Sequence, residues 1–257
     1  SAGDVNGDGF SDVIIGANGY SSNTGRAYIF FGGAAMDNTS DVLLTGESTG
    51  NNFGVSVSSA GDVNGDGFSD VIAGAYGFNS NTGKAYIYYG GAGMNSTADV
   101  IMTGESTFNF FGNSVSSAGD VNGDGFSDVI ISAFGYNSFT GKAFVFFGGT
   151  SMNNIADITM NEDIVNSYFG ISVSSAGDVN GDGFSDLLVG AYGYGSNTGR
   201  VYFYDYFMKN EIISELTMTG ESSSNFFGSS ISAAGDVNGD GFSDVIVGSY
   251  GYSSIAG

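Results

Sequence analysis

The sequence predicts an all-β fold, a β-propeller-like array of four-stranded antiparallel blades on a 58-residue repeat with incomplete first and last blades. Three observations carry this. The segment AGDVNGDGFSD occurs five times, with its first Asp at Asp4, Asp62, Asp120, Asp178 and Asp236, so each interval is 58 residues without insertion or deletion; such self-similarity is the signature of a repeat architecture. Between copies, short apolar stretches alternate with turn residues at strand spacing. The 45 Gly lack a three-residue period, so they read as turn formers with φ > 0 and as points of close approach between sheets. The 257 residues hold just under four and a half units, placed in one domain at about 1–50, 51–108, 109–166, 167–224 and 225–257. The chain has no starting Met and no signal-peptide pattern, which predicts a piece of a longer precursor.

Within one unit the elements follow in order. Strand A spans Phe53–Ser58, which alternates like a half-buried strand, and strand B spans Val71–Tyr76, just after the acidic loop. The turn Asn79-Ser80-Asn81-Thr82-Gly83 leads into strand C, the β-former run Lys84–Tyr89. After Gly90-Gly91 comes strand D at Val100–Met102, before Thr103-Gly104-Glu105. These connections are too short for crossover helices, so each unit is an antiparallel meander that cannot bury both faces alone. Four strands per unit favour radial stacking of blades over a linear solenoid.

Composition narrows the chemistry. With 27 acidic residues against 5 basic ones the formal charge is −22, which repels nucleic acid and anionic membrane surfaces. Zero Cys and zero His remove disulfides, zinc sites, thiol chemistry and imidazole triads. Hydrophobic residues at 41% suffice for a core, and no apolar run approaches the roughly 18 residues of a membrane helix.

The acidic loop carries the chemistry. In Asp4-Val5-Asn6-Gly7-Asp8-Gly9-Phe10-Ser11-Asp12 the oxygen-bearing side chains stand at positions 1, 3, 5 and 9, with Gly at 6. That is the ligand rhythm of a calcium loop, because a hard cation collects six to eight oxygens and Gly lets the chain turn around it. The expected ligands are the side chains of Asp4, Asn6, Asp8 and Asp12 and the backbone carbonyl of Phe10. The same set recurs as Asp62, Asn64, Asp66, Phe68 and Asp70; Asp120, Asn122, Asp124, Phe126 and Asp128; Asp178, Asn180, Asp182, Phe184 and Asp186; and Asp236, Asn238, Asp240, Phe242 and Asp244. The loop has no Glu at position 12 and lies between strands, unlike an EF-hand. A plain Asx-turn needs no ion, but three carboxylates in nine residues repel one another without one. Fifteen of the 27 acids lie in these loops, so five Ca²⁺ ions would bring −22 to −12.

This loop, preceded by Phe-Gly (Phe53-Gly54, Phe111-Gly112, Phe169-Gly170, Phe227-Gly228) and followed by Gly-Ala (Gly16-Ala17, Gly74-Ala75, Gly190-Ala191), resembles the FG-GAP repeat of integrin α-subunit propellers and their bacterial relatives. The resemblance covers essentially the whole chain. Where the family has Pro after Gly-Ala, this chain has Asn18, Tyr76, Phe134, Tyr192 and Tyr250, and Gly-Ala itself becomes Ser132-Ala133 and Gly248-Ser249. The resemblance implies a secreted or cell-surface calcium-binding module, and the near identity of the units points to a bacterial, archaeal or idealised protein.

Meander topology puts the A-B and C-D turns at one end and the B-C turns and D-A connections at the other. By resemblance, partners bind the B-C and D-A face, which carries Tyr20–Gly25, Phe78–Gly83, Tyr136–Gly141 and Tyr194–Gly199. Aromatic and amide-rich loops suit a glycan or a protein loop; equally, such aromatics serve as filler between blades. Arg26, Lys84, Lys142 and Arg200 also recur at 58 residues, and are expected to pair with Glu47, Glu105, Asp163 and Glu221 or with Asp41, Asp99, Asp157 and Glu215. Open strand edges in the partial blades suggest pairing with the rest of a longer chain or self-assembly with a neighbouring subunit. One stretch leaves the pattern, Asp205-Tyr206-Phe207-Met208-Lys209-Asn210-Glu211, as a drifted C-D turn or a partner contact. Sequons stand at Asn38-Thr39-Ser40 and Asn95-Ser96-Thr97.

Two functional classes follow. The first is a calcium-stabilised, non-catalytic extracellular module for adhesion, protein or glycan binding, or structural assembly. The alternative is an enzyme on the same scaffold, a polysaccharide lyase-like protein with a Tyr base or a phospholipase-associated domain. The replication of nearly every polar residue in each unit favours the first, since a catalytic site requires a unique constellation.

Overall fold

β-Formers separated by glycine-rich turns build one meander per repeat, and the repeat imposes the same register each time. The computed structural model describes residues 1–34, 36–205 and 213–251. The second unit pairs in the order β4 (Val57–Gly61), β5 (Asp70–Ala75), β6 (Lys84–Tyr88) and β7 (Val100–Thr103), the A, B, C and D strands of an antiparallel sheet. The third unit repeats this with β8 (Val115–Gly119), β9 (Asp128–Ser132), β10 (Lys142–Phe146) and β11 (Ile158–Asn161). The fourth does so with β12 (Ser172–Gly177), β13 (Asp186–Ala191), β14 (Arg200–Asp205) and β15 (Ile213–Thr219). Val71 faces Tyr88, Val129 faces Phe146 and Leu187 faces Tyr204, so the B-C register recurs residue for residue. The first sheet has three strands, β1 (Val13–Ala17), β2 (Arg26–Phe30) and β3 (Val42–Thr45), and the last has two, β16 (Phe227–Gly235) and β17 (Asp244–Ser249), matching the expected partial blades.

Burial shows that the cores lie between sheets. Strands β5, β9 and β13 are buried at every position, whereas β3, β7 and β11 alternate buried and exposed. A B strand is therefore covered on both faces by neighbouring blades, and a D strand forms the outer edge. One core joins Ile72 and Ile87 of the second unit to Val129, Ile131, Phe144 and Phe146 of the third. The next joins Ile130, Val145 and Met160 to Leu187, Val189 and Tyr204.

Strand A differs from the expectation over Phe53–Ser58: it begins at Val57. Gly54 takes φ +78° and donates its N–H to the carbonyl of Gly74 at 2.9 Å. Phe53 thereby leaves the ladder and bridges in parallel to Gly25 of the preceding unit. Its ring, fully buried, stands edge-on to Tyr86 at 5.4 Å and to Tyr88 at 6.4 Å. Phe111 and Phe169 do the same against Phe144 and Tyr202. In the second, third and fourth units the Phe-Gly pair is thus an inter-blade plug rather than strand sequence, whereas in the last unit β16 begins at Phe227, as expected of strand A, and pairs it with Ser249.

Close approach explains the Gly of Gly-Ala. A Cβ at Gly74 would run into the carbonyl oxygen of Gly112 in the next unit. The third unit has Ser132 there, and its hydroxyl oxygen accepts from Ser114 N at 3.0 Å. Neighbouring A strands are also joined directly, since Val115 N donates to Ser56 Oγ and Val173 N to Ser114 Oγ, both at 3.1 Å. Among the described residues no helix is long and apolar enough to cross a membrane.

Candidate functional site

Each acidic loop is shaped by its own side chains. The Asp4 carboxylate accepts from Gly7 N at 2.8 Å, Asp8 N at 3.1 Å and Gly9 N at 2.9 Å. Asn6 Oδ1 accepts from Asp8 N at 2.9 Å while its Nδ2 donates to Asp8 Oδ2 at 3.0 Å, and Asp8 Oδ1 accepts from Phe10 N at 2.9 Å. These three side chains share an exposed rim. Asp12 lies behind them, 1% exposed, accepting from Val5 N at 2.7 Å and from Gly32 N at 2.6 Å. The rim bonds recur around Asp62, Asp120, Asp178 and Asp236.

The structure therefore brings the predicted residues at positions 1, 3 and 5 together and sets the position-9 Asp on the inner side of the loop. Among the described residues no group of three or more acidic side chains is arranged to hold an ion. The donor set nevertheless fits a hard divalent cation in kind: every candidate ligand is an oxygen, and three are carboxylates. Burial pushes the carboxyls of Asp70 and Asp128 up to about 7; backbone amides pull the other way, and the neighbouring carboxylates of each loop add to the rise. Buried negative charge without a counter-charge is costly, and a cation would offset it.

Sequence reading missed that the loops touch. Ser69 N donates to Asp4 O, Ser127 N to Asp62 O and Ser243 N to Asp178 O, each at 2.9 Å, and Ser185 N to Asp120 O at 3.1 Å. Gly91 N and Gly149 N, from the C-D turns, reach Val5 O and Val63 O at 2.7 Å. The ring of Phe68 covers Gly7, that of Phe126 covers Gly65 and that of Phe242 covers Gly181, so a Cβ at those glycines would strike it. The Phe expected to supply only a carbonyl thus also packs its side chain on the preceding loop.

At the opposite end, the B-C turns carry left-handed residues, such as Asn79, Ser80 and Asn81 with φ of 45°, 55° and 62°. They hydrogen-bond to the D-A connections: Asn52 N to Asn23 O at 2.7 Å, Phe110 N to Asn81 O at 2.8 Å, Tyr168 N to Phe139 O at 3.0 Å. The turn aromatics lie against the phase-locked cations. Arg26 stands 3.7 Å from the Tyr20 ring centroid, Lys84 3.9 Å from Phe78, Lys142 4.6 Å from Tyr136 and Arg200 3.5 Å from Tyr194. Lys84 pairs with Glu47 and Lys142 with Glu105, each at 2.8 Å and each with the acid of the preceding unit. Of the other acids offered as partners, Asp41, Asp99 and Asp157 do something else: they accept from Phe31 N, Tyr89 N and Phe147 N at the end of strand C. Arg200 donates to Thr219 Oγ1 at 3.3 Å.

Sequence analysis noted Tyr76, Phe134, Tyr192 and Tyr250 only as replacements for the family's Pro, and not that they join a second aromatic set. Tyr76, Phe110, Phe134, Tyr168, Tyr192, Phe226 and Tyr250 run as a continuous ribbon across this end, with successive centroids 5.8, 4.9, 6.2, 4.9, 5.8 and 4.6 Å apart. Their 58-residue recurrence, just before Phe-Gly and just after Gly-Ala, was the available signal. Phe110, Tyr168 and Phe226 hold φ of 57°, 56° and 55°, a region that costs a bulky side chain free energy and persists only where packing over-determines it. Both sequon asparagines are exposed, and Asn95 Oδ1 accepts from Thr97 N at 2.7 Å. Of the out-of-pattern stretch, Asp205 ends β14, and Tyr206 to Glu211 lie outside the described residues.

Comparison with known proteins agrees with this architecture. The family model of the FG-GAP repeat matches residues 1–30, 53–88, 111–146, 169–204 and 227–257. Integrin alpha-5 of Xenopus laevis is 40% identical over 87 residues, 31% of this chain and 8% of that protein. Integrin alpha-2 of Bos taurus is 36% identical over 88 residues, 32% of this chain and 8% of that protein. The matched stretch is thus less than a tenth of each relative's length.

Proposed function

The chain belongs to the FG-GAP repeat family, and from that premise we propose that it is a calcium-binding, non-catalytic extracellular module that presents a protein or glycan ligand surface on its B-C and D-A loops. One observation carries the calcium reading: the same oxygen-only donor set recurs in phase in five loops along one end of the blades, where adjacent loops are hydrogen-bonded to each other. Asp4, Asn6, Asp8 and Asp12, the carbonyl of Phe10 and their four sets of counterparts would hold the ions. Bound calcium supplies positive charge to carboxylates that otherwise repel. The loop backbone, already shaped by the position-1 Asp, contributes preorganisation.

The ligand surface rests on the aromatic ribbon, which places half-buried rings beside amide-rich turns. The lyase alternative is weaker for a physical reason. The phenols of Tyr86 and Tyr202 are pushed well above their ordinary value by burial and then by a carboxylate beside each, Glu47 (which accepts from the Tyr86 hydroxyl at 3.0 Å) and Glu162, whereas a general base needs the opposite shift.

Thermal unfolding with and without chelator tests the calcium reading. With dissociation constants of about 10⁻⁴ to 10⁻³ M, calcium at about 10 mM stabilises by roughly 1.4 to 2.7 kcal/mol per site. A large fall in Tm in excess chelator, restored by calcium, is the expected result; an unchanged Tm would overturn it.

A further inference from the structure

Six Asn-Gly pairs stand in the chain, one in each acidic loop and one, Asn18-Gly19, just after β1. The dipeptide has a chemistry of its own, because Gly has no side chain to shield its backbone nitrogen and Asn is among the thermolabile residues. The Gly nitrogen attacks Cγ of the Asn side chain and gives its proton to a solvent base. The Cγ–Nδ2 bond then breaks, and the amide nitrogen leaves as ammonia. Water opens the resulting cyclic imide at either carbonyl, giving Asp or isoaspartate, so each event adds one negative charge.

The six pairs are held differently. In the loops the Gly N–H donates to the position-1 carboxylate, Gly7 to Asp4, Gly65 to Asp62, Gly123 to Asp120, Gly181 to Asp178 and Gly239 to Asp236, at 2.6 to 2.8 Å. The Asn side chain is tied as well. Its Oδ1 accepts from the N–H of the position-5 Asp at 2.8 to 2.9 Å in every loop. Its Nδ2 donates to the carboxylate of that Asp, at 3.0 Å from Asn64, Asn122 and Asn238. Attack brings the Asn Cγ onto the Gly nitrogen and removes that nitrogen's proton, so these bonds must break first. Asn18 has no such restraint. Both Asn18 and Gly19 are exposed, and among the described residues neither the Asn18 side chain nor Gly19 N makes a hydrogen bond.

We propose that the Asn-Gly pairs are spontaneous deamidation sites of this chain, open at Asn18 and held shut in the five acidic loops by the hydrogen bonds of the position-1 Asp and of the Asn itself. Conversion inside a loop would undo its rim. At Asn64 it replaces the Nδ2 donor that faces Asp66 Oδ2 with a carboxylate oxygen, exchanging a bond for a repulsion. The isoaspartate product also adds a methylene to the main chain and so shifts the spacing of the loop oxygens. The proposal does not rest on the calcium reading.

The test follows each Asn separately by peptide mass spectrometry while the full chain is held at neutral pH, with calcium at one fixed concentration throughout. In the folded wild-type chain Asn18 should convert faster than Asn64 and Asn122 by on the order of tenfold, the weight of a charge-assisted hydrogen bond. In urea the six rates should converge. Asp62→Ala frees the amides of Gly65, Asp66 and Gly67, and should bring Asn64 up toward the rate of Asn18 while Asn122 stays slow. Asp62→Asn, which keeps one acceptor oxygen, should raise Asn64 by less, and it decides the matter should Asp62→Ala lose its fold. Six equal rates in the folded chain, or an Asn64 as slow in both variants as in the wild type, would overturn the proposal. Neither result touches the calcium reading, which the thermal shift tests.

Discussion

At the acidic end of the blades, Asp4, Asn6 and Asp8 make the same hydrogen bonds as their counterparts in the other loops; at the other end, the position of Asn52 becomes Phe110, Tyr168 and Phe226, and that of Asn18 becomes Tyr76, Phe134, Tyr192 and Tyr250. The contrast comes from what holds each end together. In an acidic loop one carboxylate satisfies three backbone amides within five residues, so almost any change of side chain leaves donors unpaired. In the ribbon, rings stack on rings of the adjacent unit, and Phe and Tyr exchange freely because the contact is surface rather than directed bonds. The junction between the first and second units, with Gly50, Asn52 and Asn18, is polar where the next has exposed Phe108 beside Phe110. The B-C and D-A end is therefore uneven along the chain, while the acidic loops repeat the same rim bonds from unit to unit.

Calcium removal should separate the two ends most strongly. In hydrogen exchange with chelator, the amides of Gly65, Asp66 and Gly67, which bond Asp62, should lose at least about tenfold in protection. The amides of Asn52 and Phe110 at the far end, bonded to Asn23 O and Asn81 O, should change much less. Equal loss at both ends would mean that calcium controls the whole stack rather than one end.

Next in size is Phe111→Ala. It empties an inter-blade plug whose ring is 2% exposed, and should cost about 3 to 5 kcal/mol in urea unfolding. A cost under about 1 kcal/mol would show that neighbouring blades do not depend on the Phe-Gly ring. Phe134→Ala breaks the ribbon between Phe110 at 4.9 Å and Tyr168 at 6.2 Å. Loss of these ring contacts removes about 0.5 to 1.5 kcal/mol each beyond area burial, and it should weaken ligand capture on the B-C and D-A face without altering calcium titration. Coupled loss of both activities would erase the distinction between the ends. The smallest effect belongs to Glu105→Gln. Its pair with Lys142 at 2.8 Å has a half-exposed acid, so its removal should cost about 0.2 to 1 kcal/mol in the same urea assay.

Much of this was legible in the chain. The nine-residue loops work through bonds spanning two to seven residues, and the β-former runs set B, C and D to within a residue of where they lie. The start of strand A was not legible, because Phe53 alternates as strand sequence should. Only the approach of Gly54 to Gly74 and the space between two blades turn it into a plug. The cation partners were legible as a choice between two acids, and packing chose Glu47 and Glu105 while assigning Asp41 and Asp99 to strand ends.

The sequence by itself determined the period, the four-stranded meander and the chemistry of the loops, because each depends on residues close together in the chain. Tertiary structure alone decided that successive acidic loops lean on one another and that seven rings form one ribbon. These contacts join residues tens of positions apart, and short-range patterns carry no information about which distant side chains the stacking of blades will bring within a few ångströms.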